Sequence, residues 1–479
     1  MNMKKYLLYT LSVAALTFTS CGDDTMDKIN KDTQHPTSEI VAARLQLSEA
    51  IMSTAFSTVS GDYAYYTSSL TEQLIGSGNN QLMKAELRQS VELAASTTFN
   101  NVWGSTYSNI MNLNQMIDKV ENDIASSGGQ LDVLGVAQLL KAINVGFLTD
   151  MHGDIPYSEA FKGSENMQPA LDSQQSIYTD IIATLDKAID NLGNAAGMRN
   201  LSDQDLVYGG NVNSWLAAAY AVKARYLIHQ SKVNSSAVAQ AKEAAKKALE
   251  LGFSGMQVTE FNGVTCDNPW SAFIWSRHYT APSTHVANLM AANDDPRYEF
   301  YNGDAAVDPG DAEAAKVSTW YDYPLYYDLG SQPVTIIGLP ELYFILAEAQ
   351  LRSGEDATDA FQAGVAASVN EQAEWLGEDA DGEEFAASLG TPTLKTVFEQ
   401  KYLALAVDGQ AETYTDIRRM QAMGENFIVL TNPYNNQSGI NRWPEVLPYG
   451  NSSVLSNPNV AAAYGDGTYI YSTKAWLFK

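Results

Sequence analysis

Two cysteines and five histidines in 479 residues leave little material for a disulfide framework or a histidine-rich metal site. Positive charge is also scarce: 29 Lys and Arg stand against 56 Asp and Glu, a formal net charge of −27. That balance disfavours nucleic acid and anionic lipid headgroups and suits a neutral or cationic ligand. Past the N-terminal segment no stretch approaches about 18 consecutive apolar residues, so the rest of the chain is expected to be soluble. Catalytic signatures are missing as well. The sequence has no zinc-protease helix motif, no Gly-x-Ser-x-Gly elbow and no Gly-rich phosphate loop ahead of a Lys-Ser/Thr pair.

The remaining candidates for chemistry are weak. Asp150, His152 and Asp154 alternate as metal ligands do, but Gly153 and Pro156 mark a turn there, so satisfied turn residues are expected. His278 and His285 have no acidic neighbour at a ligand spacing. Asp379, Asp381 and Glu383 around Gly382 alternate as in a calcium loop, yet the twelve-residue pattern with its closing Glu is incomplete. No cofactor is expected, and calcium is the one ion left open. No pair among the acidic residues is singled out for glycoside hydrolysis. An enzyme is not expected.

The N-terminus is informative. Lys4 and Lys5 precede an apolar run from Tyr6 to Phe18, and Thr19-Ser20 lead into Cys21. A charged start, a short apolar core and small residues describe an export signal over 1–20, too short to span a bilayer. A cysteine directly after the cut can accept lipid, so Cys21 is the expected lipidation site and lipid the only membrane anchor. The polar stretch 21–39 has too little apolar surface to offset its ordering entropy and reads as a tether. With Cys21 acylated, Cys266 has no intramolecular partner, and stability rests on packing.

Helical periodicity dominates the first half of the chain. Val102, Ile110, Leu113, Ile117, Val120 and Ile124 share a stripe closed by Gly128-Gly129. Leu134, Leu140, Ile143 and Phe147 define a second helix over about 131–147. Ile177, Ile181, Leu185 and Ile189 define a third over about 174–192. From 212 to 252 the pattern is a helical hairpin. Trp215, Ala219, Val222 and Tyr226 face Ala241, Ala245, Ala248 and Leu249, much as in a tetratricopeptide unit of about 34 residues. More helices over 340–423 begin at Pro340, with Leu342, Ile345, Leu346 and Ala349, then Phe361 and Val365, then Val397, Phe398, Tyr402 and Leu405. The fold class is mostly α: a helical repeat scaffold with a large irregular, loop-rich portion, forming one domain over 40–479. The segments 60–95, 253–338 and 425–479 lack sustained periodicity and are expected to face a ligand.

Those segments are rich in aromatics. Trp270, Trp275 and Tyr279 lie together, Trp320 and Tyr321 open a second group with Tyr323, Tyr326 and Tyr327, and Tyr63, Tyr65 and Tyr66 precede a loop with Asn79 and Asn80. Sugar rings stack their C–H faces on flat aromatics while amides bond the hydroxyls. The expected ligand-facing set is Tyr63, Tyr65, Asn79, Trp270, Trp275, Tyr279, Trp320 and Tyr321.

Several stretches in this order resemble the SusD/RagB family of outer-membrane nutrient-binding lipoproteins, most closely its starch-binding, outer-membrane-associated branch. They are Cys21-Gly22-Asp23-Asp24, Asn30-Lys31-Asp32, Trp103 to Ile117, Gly153-Asp154-Ile155-Pro156, Lys223-Ala224-Arg225, Asp295-Pro296-Arg297, Leu346-Ala347-Glu348-Ala349, Gln400-Lys401-Tyr402, Arg418-Arg419, Arg442-Trp443-Pro444-Glu445 and Asn457. Trp443 stands where relatives often carry Tyr or Leu. The resemblance implies a four-repeat tetratricopeptide-like scaffold at the cell-surface face of the outer membrane. It implies a SusC-like, TonB-dependent barrel transporter as partner, with this chain as its lid. The expected ligand is an oligosaccharide. The alternatives are a peptide ligand in the same architecture, a surface glycoside hydrolase, or a scaffold for the barrel alone.

Overall fold

The computed structural model describes residues 40–87, 93–317, 323–431 and 443–479. The export signal, Cys21 and the tether lie outside these, as do Trp320, Tyr321 and Arg442. The elements used below are α1 Asp62–Leu70, α2 Asn100–Glu121, α3 Leu131–His152, α4 Gln174–Asn194, α5 Val212–His229, α6 Ala237–Glu250, α7 Pro269–Arg277, α8 Leu339–Arg352, α9 Thr358–Leu376, α10 Leu394–Ala404 and α11 Gln410–Ala422. Among the described residues the six short strands are β1 Leu74–Gly76, β2 Ile155–Pro156, β3 Leu171–Asp172, β4 Met256–Val258, β5 Thr280–Pro282 and β6 Val334–Ile337, paired antiparallel as β1–β5, β2–β3 and β4–β6.

The helices stack in sequence order. α2 packs on α3, α3 on α4, α4 on α5, α5 on α6, α6 on α8, and α8 on both α9 and α10. Small residues permit the close approach. Ala217, Ala218, Ala221 and Ala224 of α5 and Ala241, Ala245 and Ala248 of α6 are all fully buried. At Gly146 of α3 an added Cβ would sit 2.1 Å from the Tyr226 hydroxyl, which donates to the Ile143 carbonyl at 3.1 Å. Among the described residues α3 alone is long and apolar enough to cross a membrane, but 83% of its apolar window is buried against its neighbours. It is the central core helix.

Three boundaries differ from the periodicity. α2 stops at Glu121, and Ile124 begins a separate turn in which Asp123 and Ala125 adopt left-handed φ of 55° and 53°. The turn is fixed because Gly128 N donates to Asp123 Oδ1 at 2.9 Å and Ala43 N to Ser127 Oγ at 2.9 Å. α3 continues past Phe147 to His152 because its last polar side chains find buried partners. Asp150 accepts from Tyr178, and His152 Nε2 pairs with the Tyr63 hydroxyl at 2.7 Å. Asp154 Oδ1 accepts from Gln174 N at 2.8 Å, so this acidic–histidine–acidic run is structural. The third difference is α1, a helix inside a segment expected to be irregular. Seven of its nine residues are buried, which erases the one-sided pattern. Its hydroxyls are satisfied within the helix, Thr67 Oγ1 donating to the Tyr63 carbonyl at 2.6 Å and Ser69 Oγ to the Tyr66 carbonyl at 3.1 Å.

A buried ionic network locks the later helices together. Arg225 of α5 is bidentate to Glu341 of α8 through two 2.6 Å bonds and also donates to the Ile336 carbonyl at 2.9 Å. Arg419 of α11 grips Glu348 of α8 at 2.5 and 2.8 Å and Asp416 at 2.7 Å. Lys401 of α10 contacts Asp416 at 2.6 Å and Glu412 at 3.2 Å. His229 joins Glu412 at 2.9 Å to Asp150 at 3.2 Å. Arg297 holds Asp295, Ser368 and Gln400, and Arg418 lies between the Tyr414 and Phe478 rings at 3.9 and 4.6 Å. Arg225, Asp295, Arg297, Glu348, Gln400, Lys401, Arg418 and Arg419 are the residues through which several of the sequence motifs were legible. A buried charge needs a specific partner to offset its desolvation, and this ties each identity to its position.

Candidate ligand-binding surface

The surface is organised by one antiparallel pairing. Gly76 of β1 faces Thr280 of β5, and Leu74 faces Pro282. Beyond the pair, Ser77 N donates to the Tyr279 carbonyl at 2.8 Å and Gly78 N to the Ala315 carbonyl at 3.1 Å. Asn80 is a clamp: its Oδ1 caps the helix Gln81–Glu86 through Leu82 N at 2.8 Å, and its Nδ2 reaches the Tyr279 carbonyl at 3.1 Å. Gly76 has no room for a side chain, since a Cβ would meet Met83 N at 2.1 Å. The loop 77–80 is thus held against 278–279 and the helix Ala312–Val317, and Asn79 stands exposed at left-handed φ of 58°.

α7 delivers the tryptophans. Asn268 caps it, Oδ1 accepting from Trp270 N at 2.8 Å, and Pro269 occupies its first turn. His278 closes it in the left-handed region, turning the chain into β5. Five helical positions separate Trp270 from Trp275, so at about 100° per residue they point to different sides. Trp270 is fully buried, stacked on Tyr327 with centroids 4.9 Å apart, while Trp275 is 46% exposed.

The expected ligand-facing residues therefore separate. Tyr63 is fully buried, bonded to His152 and stacked on Phe99. Trp270 is likewise core, and neither offers a face to a ligand in this structure. The physical reason is the same for both: each sits on the inward side of a short helix that lacks visible periodicity. Tyr65 is half-buried, lying flat on Phe273 with centroids 3.9 Å apart and donating to the Pro269 carbonyl at 3.2 Å, so it supports α7 from below. Tyr323, Tyr326 and Tyr327 are also core. Asn79 stands on the loop that Ser77 N and Asn80 Nδ2 bond to the carbonyl of half-buried Tyr279, with exposed Val317 on the adjoining helix, whereas the exposed Trp275 ring leans towards Tyr323 at 6.5 Å and the Tyr279 ring packs on Phe273. Trp320 and Tyr321 fall outside the described residues. Sequence reasoning did not single out Arg277 and weighed His278 only as a metal ligand; both are exposed beside Trp275, and a basic residue at a helix end was their only signal for this surface. The calcium-like set is spent on local structure. Asp381 caps the helix Gly382–Ser388 through Glu384 N at 2.8 Å, and Glu383 accepts from Asn370 at 3.2 Å. Among the described residues no three His, Cys, Asp or Glu side chains gather as metal ligands would.

Residues 42–426 match the model of a family described as starch-binding and associating with the outer membrane, the SusD-like family. The chain belongs to it. A SusD/RagB family protein from Bacteroides thetaiotaomicron is 32% identical, with a TM-score of 0.78 over 91% of this chain and 99% of that one. A SusD homologue from Bacteroides fragilis is 21% identical, with a TM-score of 0.72 over 92% of this chain and 100% of the other. A chitin-binding SusD homologue from Flavobacterium johnsoniae is 19% identical, with a TM-score of 0.68 over 91% and 98%. The last two show shared fold. No curated protein matches the sequence. Like these, the SusD-like chain is mostly helical, with its irregular part carried on a stacked helical scaffold.

Proposed function

We propose that this SusD-like chain is a cell-surface lipoprotein, anchored through Cys21, that captures an oligosaccharide and passes it to a barrel transporter in the outer membrane. The observation that supports the reading is the β1–β5 pairing, which holds the loop with exposed Asn79 against half-buried Tyr279, four residues after the exposed Trp275. Trp275 supplies a stacking face, Tyr279 an edge with a hydroxyl, and Asn79 a donor and an acceptor. This combination suits a pyranose, which alternates apolar faces with a ring of hydroxyls. The family description, starch-binding and associating with the outer membrane, agrees with it. No step of the reading requires chemistry by this chain: it binds, holds and releases. With one or two stacked rings at about 1 kcal/mol each and a few hydrogen bonds, the expected affinity is micromolar to millimolar.

The test is intrinsic tryptophan fluorescence of the full-length protein in detergent, titrated with maltooligosaccharides, chitooligosaccharides and basic peptides. A saturable change with one glycan class, lost in Trp275→Ala that remains folded with a cooperative melting transition, supports capture at this surface. A response to peptides with none to glycans replaces the ligand class, and a flat response to all overturns the reading.

A further inference from the structure

Around the loop 77–80 the sign of charge is opposite to that of the chain. The sequence holds 56 acidic and 29 basic residues, yet residues 73–85 and 268–293, which the β1–β5 pairing joins, contain no Asp or Glu. Their basic residues are Lys84, Arg277, His278 and His285. The loop gathers several of these with a further lysine. Ser77 Oγ donates to the His278 carbonyl at 3.3 Å, next to Arg277, and Gly78 N donates to the Ala315 carbonyl at 3.1 Å, next to Lys316. Lys84 N donates to the Asn80 carbonyl at 3.0 Å in the helix that Asn80 caps. Arg277, His278 and Lys316 are exposed, and Lys84 is half-buried.

The carboxylates nearest the loop are engaged. Glu86 is buried and accepts from Gly76 N at 2.8 Å. Asp311 caps the helix Ala312–Val317 through Glu313 N at 3.1 Å and Ala314 N at 3.0 Å, and Asp308 accepts from Gly310 N at 2.7 Å. On the Trp275 side, Asp328 accepts from the Tyr323 hydroxyl at 3.1 Å. Glu313 pairs with Lys316 at 2.6 Å, but both are exposed, and such a pair is weak enough to give way to a ligand. The Arg277 guanidinium has no carboxylate or hydrogen-bond partner among the described residues. An unpaired guanidinium is a fork of donors matched to a carboxylate or sulfate. At physiological salt, exposed charges are screened beyond about 8 Å. A ligand on this loop therefore responds to these neighbours more than to the net charge of the chain.

We propose that the oligosaccharide taken at this loop is acidic, its carboxylate or sulfate groups held by Arg277 and Lys316. The exposed Asn79 amide and the His278 ring are left to serve its hydroxyls. This rests on glycan capture at the surface proposed above and adds the class of glycan. It departs from the neutral or cationic ligand that net charge suits, because the basic residues stand where the ligand would touch and most of the acidic ones do not.

Full-length protein in non-ionic detergent is titrated by calorimetry with tetragalacturonate and its methyl ester, and with a sulfated galactan tetrasaccharide and its desulfated form. Each pair shares a sugar backbone and differs in charge. At least one acidic member should bind about tenfold or more tightly than its neutral partner at about 50 mM salt, the advantage shrinking at about 500 mM. The pair that shows it distinguishes carboxylate from sulfate. Arg277→Gln and Lys316→Gln should each weaken the acidic member about two- to fivefold and leave its neutral partner unchanged. Both variants should melt close to the parent, since the side chains replaced are exposed. Lys247→Gln, exposed on α6, should change nothing. The proposal is overturned if the neutral members bind as tightly as the acidic ones, or if the acidic preference survives Arg277→Gln combined with Lys316→Gln. Neutral binding without acidic preference leaves oligosaccharide capture standing. Absence of binding by all four, and by maltooligosaccharides and chitooligosaccharides, overturns capture and the acidic assignment together.

Discussion

Trp270 and Trp275 show how far a residue's neighbours in sequence differ from its neighbours in space. Both stand in the same aromatic stretch, and helical geometry assigns one to the core and one to the surface. Trp270→Ala is expected to cost about 3–5 kcal/mol in urea unfolding, through lost burial and the cavity left against Tyr65 and Tyr327. Trp275→Ala, which removes a half-exposed ring beside Tyr323, should cost about 1–2 kcal/mol, clearly less than Trp270→Ala, while reducing glycan affinity. A large stability loss in Trp275→Ala would show its indole to be structural and remove it from the ligand surface. Gly146→Ala is expected to destabilise by about 1–3 kcal/mol, because the added methyl must displace the Tyr226 ring. Tyr226→Phe combined with it should not restore stability, since the ring itself is the obstacle.

Among the elements, α3 was legible although nearly all of it is buried, because a run of 22 residues repeats its apolar positions many times. α2, α4 and α6 pack one side inward and expose the other, so their stripes were legible. α1 and α7 were not. Both are nine residues long, α1 is buried almost all round, and the polar residues on it satisfy themselves locally. The ionic network is the element-scale counterpart. Glu348→Ala strands Arg419, which is fully buried, and weakens Arg352. The expected loss is about 3–5 kcal/mol, measured by chemical unfolding. A loss below about 1 kcal/mol would mean that water or Asp416 satisfies Arg419 unaided. Asn268→Ala, which removes the cap of α7 and its bond to the Gln332 carbonyl, should cost about 1 kcal/mol, measured by chemical unfolding.

For the whole molecule the network sets the pH response. Burial opposes the charged form of Glu348, but Arg419 and Arg352 outweigh it and hold the carboxyl at about 2. Its contribution is present above the unfolded value near 4.5 and disappears as pH falls towards 2. Burial likewise opposes protonated His229, and Glu412 with Asp150 hold it at about 9. That stabilisation is full below the unfolded value of 6.5 and is lost as pH rises through 9. Melting temperature should therefore fall on both sides, and His229→Gln should flatten the alkaline limb. An unchanged alkaline limb in that variant would assign the fall to other groups.

Composition and periodicity by themselves determined that the chain is mostly α and that a hairpin fills 212–252, and the order of its motifs carried the resemblance to the SusD-like family. These properties rest on local rules: a helix with one apolar face declares its period, and a buried charge fixes its partner. Tertiary structure alone decided which aromatics reach the surface and which polar side chains find distant partners. Asn80 meets the Tyr279 carbonyl across 199 residues beside the β1–β5 pairing, and Gln257 meets Glu371 at 2.6 Å across 114 residues. Such meetings depend on where distant elements come to rest, and no local pattern records that.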